Sequence, residues 1–138
     1  MNELKINHLA SIVCIVLLHV LGFLWYGPLF GEPWMEAVGL TMADAEANPP
    51  GLGVWLTNTI ATIASVYLLA FLLAKMSIKG AVQGLIFGVL IGFVFSLLSN
   101  MTGDMFAQNP YYLSWITGGF DTVALGLTGL ILGAWKKK

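Results

Sequence analysis

The sequence predicts an all-α, polytopic membrane protein. It has four transmembrane helices, both termini on the cytoplasmic side (N-in/C-in), and a short helical outer loop between helices 1 and 2. Three observations carry this reading. Four apolar stretches, Leu9–Tyr26, Val54–Ala74, Ala81–Leu98 and Leu113–Trp135, fill most of the 138 residues. Each has about the 18–23 residues that cross a hydrocarbon layer about 30 Å thick as a helix. Only 9% of residues are charged, against about a quarter in a soluble domain. The basic residues also alternate with the spans: Lys5 precedes the first, Lys75 and Lys79 join the second to the third, and Lys136, Lys137 and Lys138 follow the fourth. The connections Gly27–Gly53 and Met101–Tyr112 hold Glu32, Glu36, Asp44, Glu46 and Asp104 and no basic residue. Basic flanks stay in the cytoplasm, which places both acidic loops outside. The length suits a single domain over residues 1–138.

The elements follow in order. The first span begins after a polar lead-in and ends at Trp25-Tyr26, aromatic residues suited to the headgroup level. No small-x-small cleavage site follows it, so it is expected to remain as a span rather than act as a removable signal. Gly27-Pro28 is expected to break the helix. In the loop beyond, Pro33 suits the first turn of a short helix carrying Trp34. Thr41 with Asp44 three residues on suits the start of another. The second span carries Thr57, Asn58, Thr59, Thr62 and Ser65 in its outer half. The short turn Lys75–Lys79 makes it an antiparallel neighbour of the third.

The third span is a glycine ladder: Gly80, Gly84, Gly88 and Gly92 recur every fourth residue, and Ser96 and Asn100 continue the row. The fourth answers with Gly118, Thr122, Gly126, Gly129 and Gly133. Leucine gains little from leaving lipid for protein, so membrane helices associate through close packing, which small residues permit. Gly84, Gly88, Gly92 and Gly126 are therefore candidate helix-packing positions. The spacing leaves open whether they join helices within one chain or between chains.

Besides Cys14, only His19 and Asp121 are ionisable and well inside the spans. Charge there is expensive, which makes both functional candidates. Counting from the outer ends places both about 10–12 Å deep. Thr62 and Ser96 fall at similar levels, and Asn58 and Asn100 lie nearer the outer surface. His19, Asp121, Asn58, Thr62, Ser96 and Asn100 thus form a candidate ligand or ion pathway. In one arrangement an imidazole–carboxylate bond relays a proton or holds a cation. In the other, His19 bonds a nearby carbonyl and Thr117 solvates Asp121. Neither a metal site nor a cofactor is expected, since two separated ligands do not make a tight metal site. No catalytic motif is present, and no basic patch suggests nucleic acid.

The run Gly22-Phe23-Leu24-Trp25-Tyr26-Gly27-Pro28-Leu29-Phe30-Gly31-Glu32-Pro33-Trp34, with Asn7 just before the first helix, resembles the signature of a family of small bacterial four-helix membrane proteins catalogued only as a domain of unknown function. The resemblance implies the bacterial cytoplasmic (inner) membrane and no particular activity. It singles out Trp25, Tyr26 and Trp34 as loop or interface aromatics beyond an ordinary aromatic belt. The lipid bilayer is one partner, and a homo-oligomer or a larger membrane complex is expected. Three function classes remain. The first is an oligomeric small-solute or ion binding and transport unit with an outward-facing polar cluster. The second is an accessory or assembly subunit docking through the glycine ridge. The third is a membrane enzyme acting on a lipid or quinone.

Overall fold

A computed structural model describes residues 5–135 of the chain. Lys136, Lys137 and Lys138, part of the charge argument, lie outside the described residues. Among the described residues the secondary structure is entirely helical. Four helical runs, of 22, 24, 26 and 24 residues, are long and apolar enough to cross a membrane. At 1.5 Å per residue they are about 33–39 Å long.

Helix α1 (His8–Leu24) is capped by Asn7, whose Oδ1 accepts from the Ala10 N–H at 3.1 Å. The Asn7 amide also donates to the Trp135 carbonyl at 3.1 Å. One side chain therefore starts the first span and ties it to the end of the fourth. The span does not break at Gly27-Pro28, as the sequence suggests. It runs on through a π turn, π1 (Trp25–Leu29). Proline has no N–H for the α-helical ladder, and the wider i→i+5 bond from Phe30 N–H to the Trp25 carbonyl, at 2.8 Å, carries the helix past it.

The loop beyond contains two short helices, α2 (Gly31–Val38) and α3 (Met42–Ala47). Gly39 ends α2 at φ +77°, a left-handed turn that glycine adopts freely. Thr41 and Asp44 form a reciprocal capping box at the start of α3. The two bonds from Thr41 hold the exposed Asp44 carboxyl below the usual carboxylate range.

Helix α4 (Leu52–Lys75) is the second span. The third is continuous through α5 (Ala81–Ile91), π2 (Gly92–Leu98) and α6 (Ser99–Phe106). It overruns its apolar stretch, since the segment from Met101 was expected to be loop. Backbone hydrogen bonding continues past the hydrophobic stretch until Gln108 turns left-handed at φ 62° and the Asn109 N–H closes on the Asp104 carbonyl. Helix α7 (Tyr111–Ala134) completes the set.

The spans alternate in direction. One end of the molecule, the lysine end, holds Lys5, Lys75 and Lys79; the other, the loop end, holds α2, α3 and the acids. Helix α7 packs against all three other spans, most extensively against α5. That interface is backbone on backbone. A Cβ added to Gly84 would strike the Gly129 carbonyl, one at Gly129 the Gly84 carbonyl, and one at Gly88 the Leu125 carbonyl. At Gly92 it would lie 2.6 Å from the Thr122 Cα, and at Gly126 2.7 Å from a Val89 methyl. At Gly84, Gly88 and Gly129 the glycine Cα–H groups therefore point at carbonyl oxygens across the interface, weak bonds worth about 0.5–1 kcal/mol each. The Gly80 N–H adds a full hydrogen bond to the Gly133 carbonyl at 3.1 Å.

The row does not continue to Ser96 and Asn100 as the spacing suggests. The π turn lengthens the repeat, so the backbone of Leu97, not Ser96, abuts Gly118. Ser96 is turned aside.

On the other side of α7, the lysine half is closed. Ala10, Cys14 and Leu18 of α1 pack with Val66, Leu69, Ala70 and Leu73 of α4 and Ala124 and Leu132 of α7. Toward the loop end α4 stands off from its neighbours: from Leu52 to Ser65 none of its residues is buried. Side-chain size follows the divergence: small Ala10, Cys14 and Ala70 lie in the packed half, and large Phe23 and Trp55, stacked with ring centres 6.2 Å apart, bridge α1 and α4 toward the loop end.

Candidate functional site

The divergence leaves a cleft of about 920 Å³ at the loop end. Each wall is one stripe of a helix. Helix α1 supplies Leu18, His19, Gly22 and Phe23, with Tyr26 following from π1. Helix α4 supplies Val54, Asn58, Ala61, Thr62 and Ser65. Helix α7 supplies Thr117, Phe120, Asp121, Ala124 and Leu125. The third span contributes Ser96, and Trp34 and Pro50 of the loop join the lining.

His19 and Asp121 line the same cleft without bonding one another. His19 Nδ1 meets the Ile15 carbonyl at 2.8 Å, so this nitrogen carries a proton. Its Nε2 lies 3.3 Å from the Thr59 hydroxyl. The threonine hydroxyl, able to donate or accept, is the partner of the second ring nitrogen. The imidazole–carboxylate relay considered from the sequence is therefore absent, and the carbonyl-bonded arrangement is the one found. Asp121 accepts through Oδ2 from the Ser96 hydroxyl. Its other oxygen has no protein partner among the described residues. Ser96 reaches it because π2 rotates that residue out of the glycine row. Thr117, expected to solvate Asp121, instead donates to the Leu113 carbonyl at 3.2 Å.

The remaining sequence candidates divide. Thr62 lines the cleft and donates to the Asn58 carbonyl at 2.8 Å; Asn58 lines it too and is exposed. Asn100 does not join them. It lies in a separate cavity of about 370 Å³ with Trp34, Asp104 and Thr117, its amide 3.5 Å from the Thr117 hydroxyl. The same π turn accounts for this displacement.

Of the aromatic run after α1, Tyr26 and Trp34 line the cleft, while Trp25 and Phe30 pack beside it. Trp25 Nε1 donates to the Ile116 carbonyl on α7 at 2.9 Å, and the indole packs on Phe30 and Phe120 with ring centres 4.8 and 6.1 Å away. Tyr26 meets Phe120 and Trp34, each at 5.6 Å. These side chains fasten α2 to α7. Phe23, Trp55, Phe120 and Ser65 also line the cleft and were not singled out from sequence. The signal available for all four was helical spacing: Phe23 lies four residues from His19, Trp55 three from Asn58, Ser65 three from Thr62 and Phe120 three from Thr117.

A family model described as a protein of unknown function (DUF1761) matches residues 9–133, a span that includes every cleft residue named here. No curated protein and no solved structure matches the chain.

Proposed function

The chain belongs to the DUF1761 family of unknown function, and from that premise we propose that it binds a small solute or ion in the cleft, as one unit of an oligomeric membrane transporter. The observation that carries the reading is the cleft itself: about 920 Å³ in the loop-end half, with polar side chains from all four spans. Small-molecule sites are typically cavities of about 300–1,000 Å³ with mostly apolar walls and a few placed polar groups. By the charge argument the cleft opens outward, with both termini cytoplasmic in a bacterial inner membrane. The packed lysine half closes the path through one chain, so passage requires rearrangement of the spans or a second copy.

Gly84, Gly88, Gly92 and Gly126 lie against neighbours within the same chain, which favours the cleft over the glycine ridge as the functional surface.

The test is a thermal-shift screen of small solutes on protein in lipid nanodiscs. A ligand at about a hundredfold its Kd adds about 2.7 kcal/mol to the folded state. Thr62→Trp fills the cleft and should abolish the stabilisation given by any hit. Ile60→Trp, on the exposed face of α4, should preserve it. Equal stabilisation of wild type and Thr62→Trp would remove the cleft as the binding site.

A further inference from the structure

We propose that the ligand is an organic cation: an ammonium or phosphonium centre carried on an apolar body. The inference rests on the binding role argued above and assigns its substrate class.

Charge is the first ground. The cleft contains one carboxylate, Asp121, and no lysine. The described lysines, Lys5, Lys75 and Lys79, lie at the other end, and the segments Gly27–Gly53 and Met101–Tyr112 carry five acids and no base. A cleft lined by one sign of charge, with low-dielectric walls, concentrates ligands of the opposite sign. Among the described residues no basic side chain pairs with Asp121. Both nitrogens of His19 are committed, to the Ile15 carbonyl and the Thr59 hydroxyl. Ser96 engages only one carboxylate oxygen. A carboxylate within a membrane is costly unless paired, and a bound cation supplies the missing partner.

The walls decide which cation. Phe23, Tyr26, Trp34, Trp55 and Phe120 surround the space. Aromatic faces attract cations within about 6 Å and are the usual recognition surface for quaternary centres. A hydrated metal ion would need several oxygen or nitrogen ligands. Among the described residues no group of three or more histidine, cysteine, aspartate or glutamate side chains is placed to hold one. The volume also exceeds what a bare ion requires and accommodates a body bearing several rings.

Tetraphenylphosphonium and tetraphenylborate share one shape and carry opposite charge, which makes them the discriminating probes. Binding is measured on the full chain in zwitterionic nanodiscs, with empty discs subtracted. Saturable binding of tetraphenylphosphonium, weakened about tenfold or more by Asp121→Asn and retained in Asp121→Glu, is expected. Tetraphenylborate should show none. If Asp121→Asn does not fold, the preference of the wild type for one probe over the other decides the question. Saturable binding of tetraphenylborate in place of the cation, or cation binding unchanged in folded Asp121→Asn, overturns the inference while leaving a solute-binding cleft. Saturable binding of neither probe overturns the cation assignment; if the solute screen also yields no cleft-dependent hit, the binding role falls with it.

Discussion

Gly88→Leu is expected to cost about 3 kcal/mol or more, the upper range for overpacking. The obstacle at Gly88 is the Leu125 carbonyl, a backbone group that cannot rotate away. Even the single methyl of Gly88→Ala forces α5 and α7 apart, which weakens the reciprocal contacts of Gly84 with Gly129 as well. Alanine is the better helix former by about 1 kcal/mol, so the sign of the Gly88→Ala effect is informative: packing must outweigh propensity. Gly103 in α6 provides the control, because an added Cβ there meets nothing within 4 Å. Melting in detergent, followed by circular dichroism, should fall for Gly88→Ala, fall further for Gly88→Leu, and hold or rise for Gly103→Ala. Equal melting of Gly88→Ala and Gly103→Ala would contradict backbone-on-backbone packing.

Trp25→Ala is expected to cost about 2–4 kcal/mol, toward the lower part of the range for aromatic truncation because the indole is only half-buried. It removes the contacts with Phe30 and Phe120 and the hydrogen bond to the Ile116 carbonyl. Trp25→Phe keeps a ring and loses the bond, worth about 1 kcal/mol. The local consequence is release of α2, read as faster amide exchange between Gly31 and Val38. An ordinary headgroup anchor would behave differently: its loss would change membrane depth and leave α2 protected. Unchanged exchange in α2 would therefore return Trp25 to the aromatic belt.

Much of this architecture is legible in the sequence, for a definite reason. A bilayer demands about twenty apolar residues per helical crossing, so hydropathy and length locate all four spans. The loop helices are legible from Pro33 and the Thr41–Asp44 pair. The end of the third span is not, because Thr102, Gly103 and Asp104 are polar yet remain helical. The same limit applies to Pro28, whose missing donor predicts a break unless a π turn absorbs it. Counting gives the depth of a residue but not its azimuth. His19 and Asp121 share a depth and a cleft, yet their partners are Ile15 and Thr59 for one and Ser96 for the other. A single π turn after Gly92 separates Ser96, which reaches the carboxylate, from Leu97, which takes the place on the ridge. No propensity of the run Gly92–Leu98 announces that turn.

The stand-off of α4 underlies the cleft and every role assigned to it. Thiol labelling along that helix tests it most directly. With the single, buried Cys14 replaced by serine, cysteines placed one at a time from Val54 to Leu73 are exposed to a polar, membrane-impermeant maleimide in intact cells. Reaction is expected at Asn58, Thr62 and Ser65, one helical stripe facing the cleft. Leu56, Ile60 and Ile63, exposed toward lipid, should stay unreacted, as should the buried Val66, Leu69 and Leu73. Uniform protection from Asn58 to Ser65, or a reactive stripe that extends through Leu73, would contradict a helix that is packed at one end and free at the other.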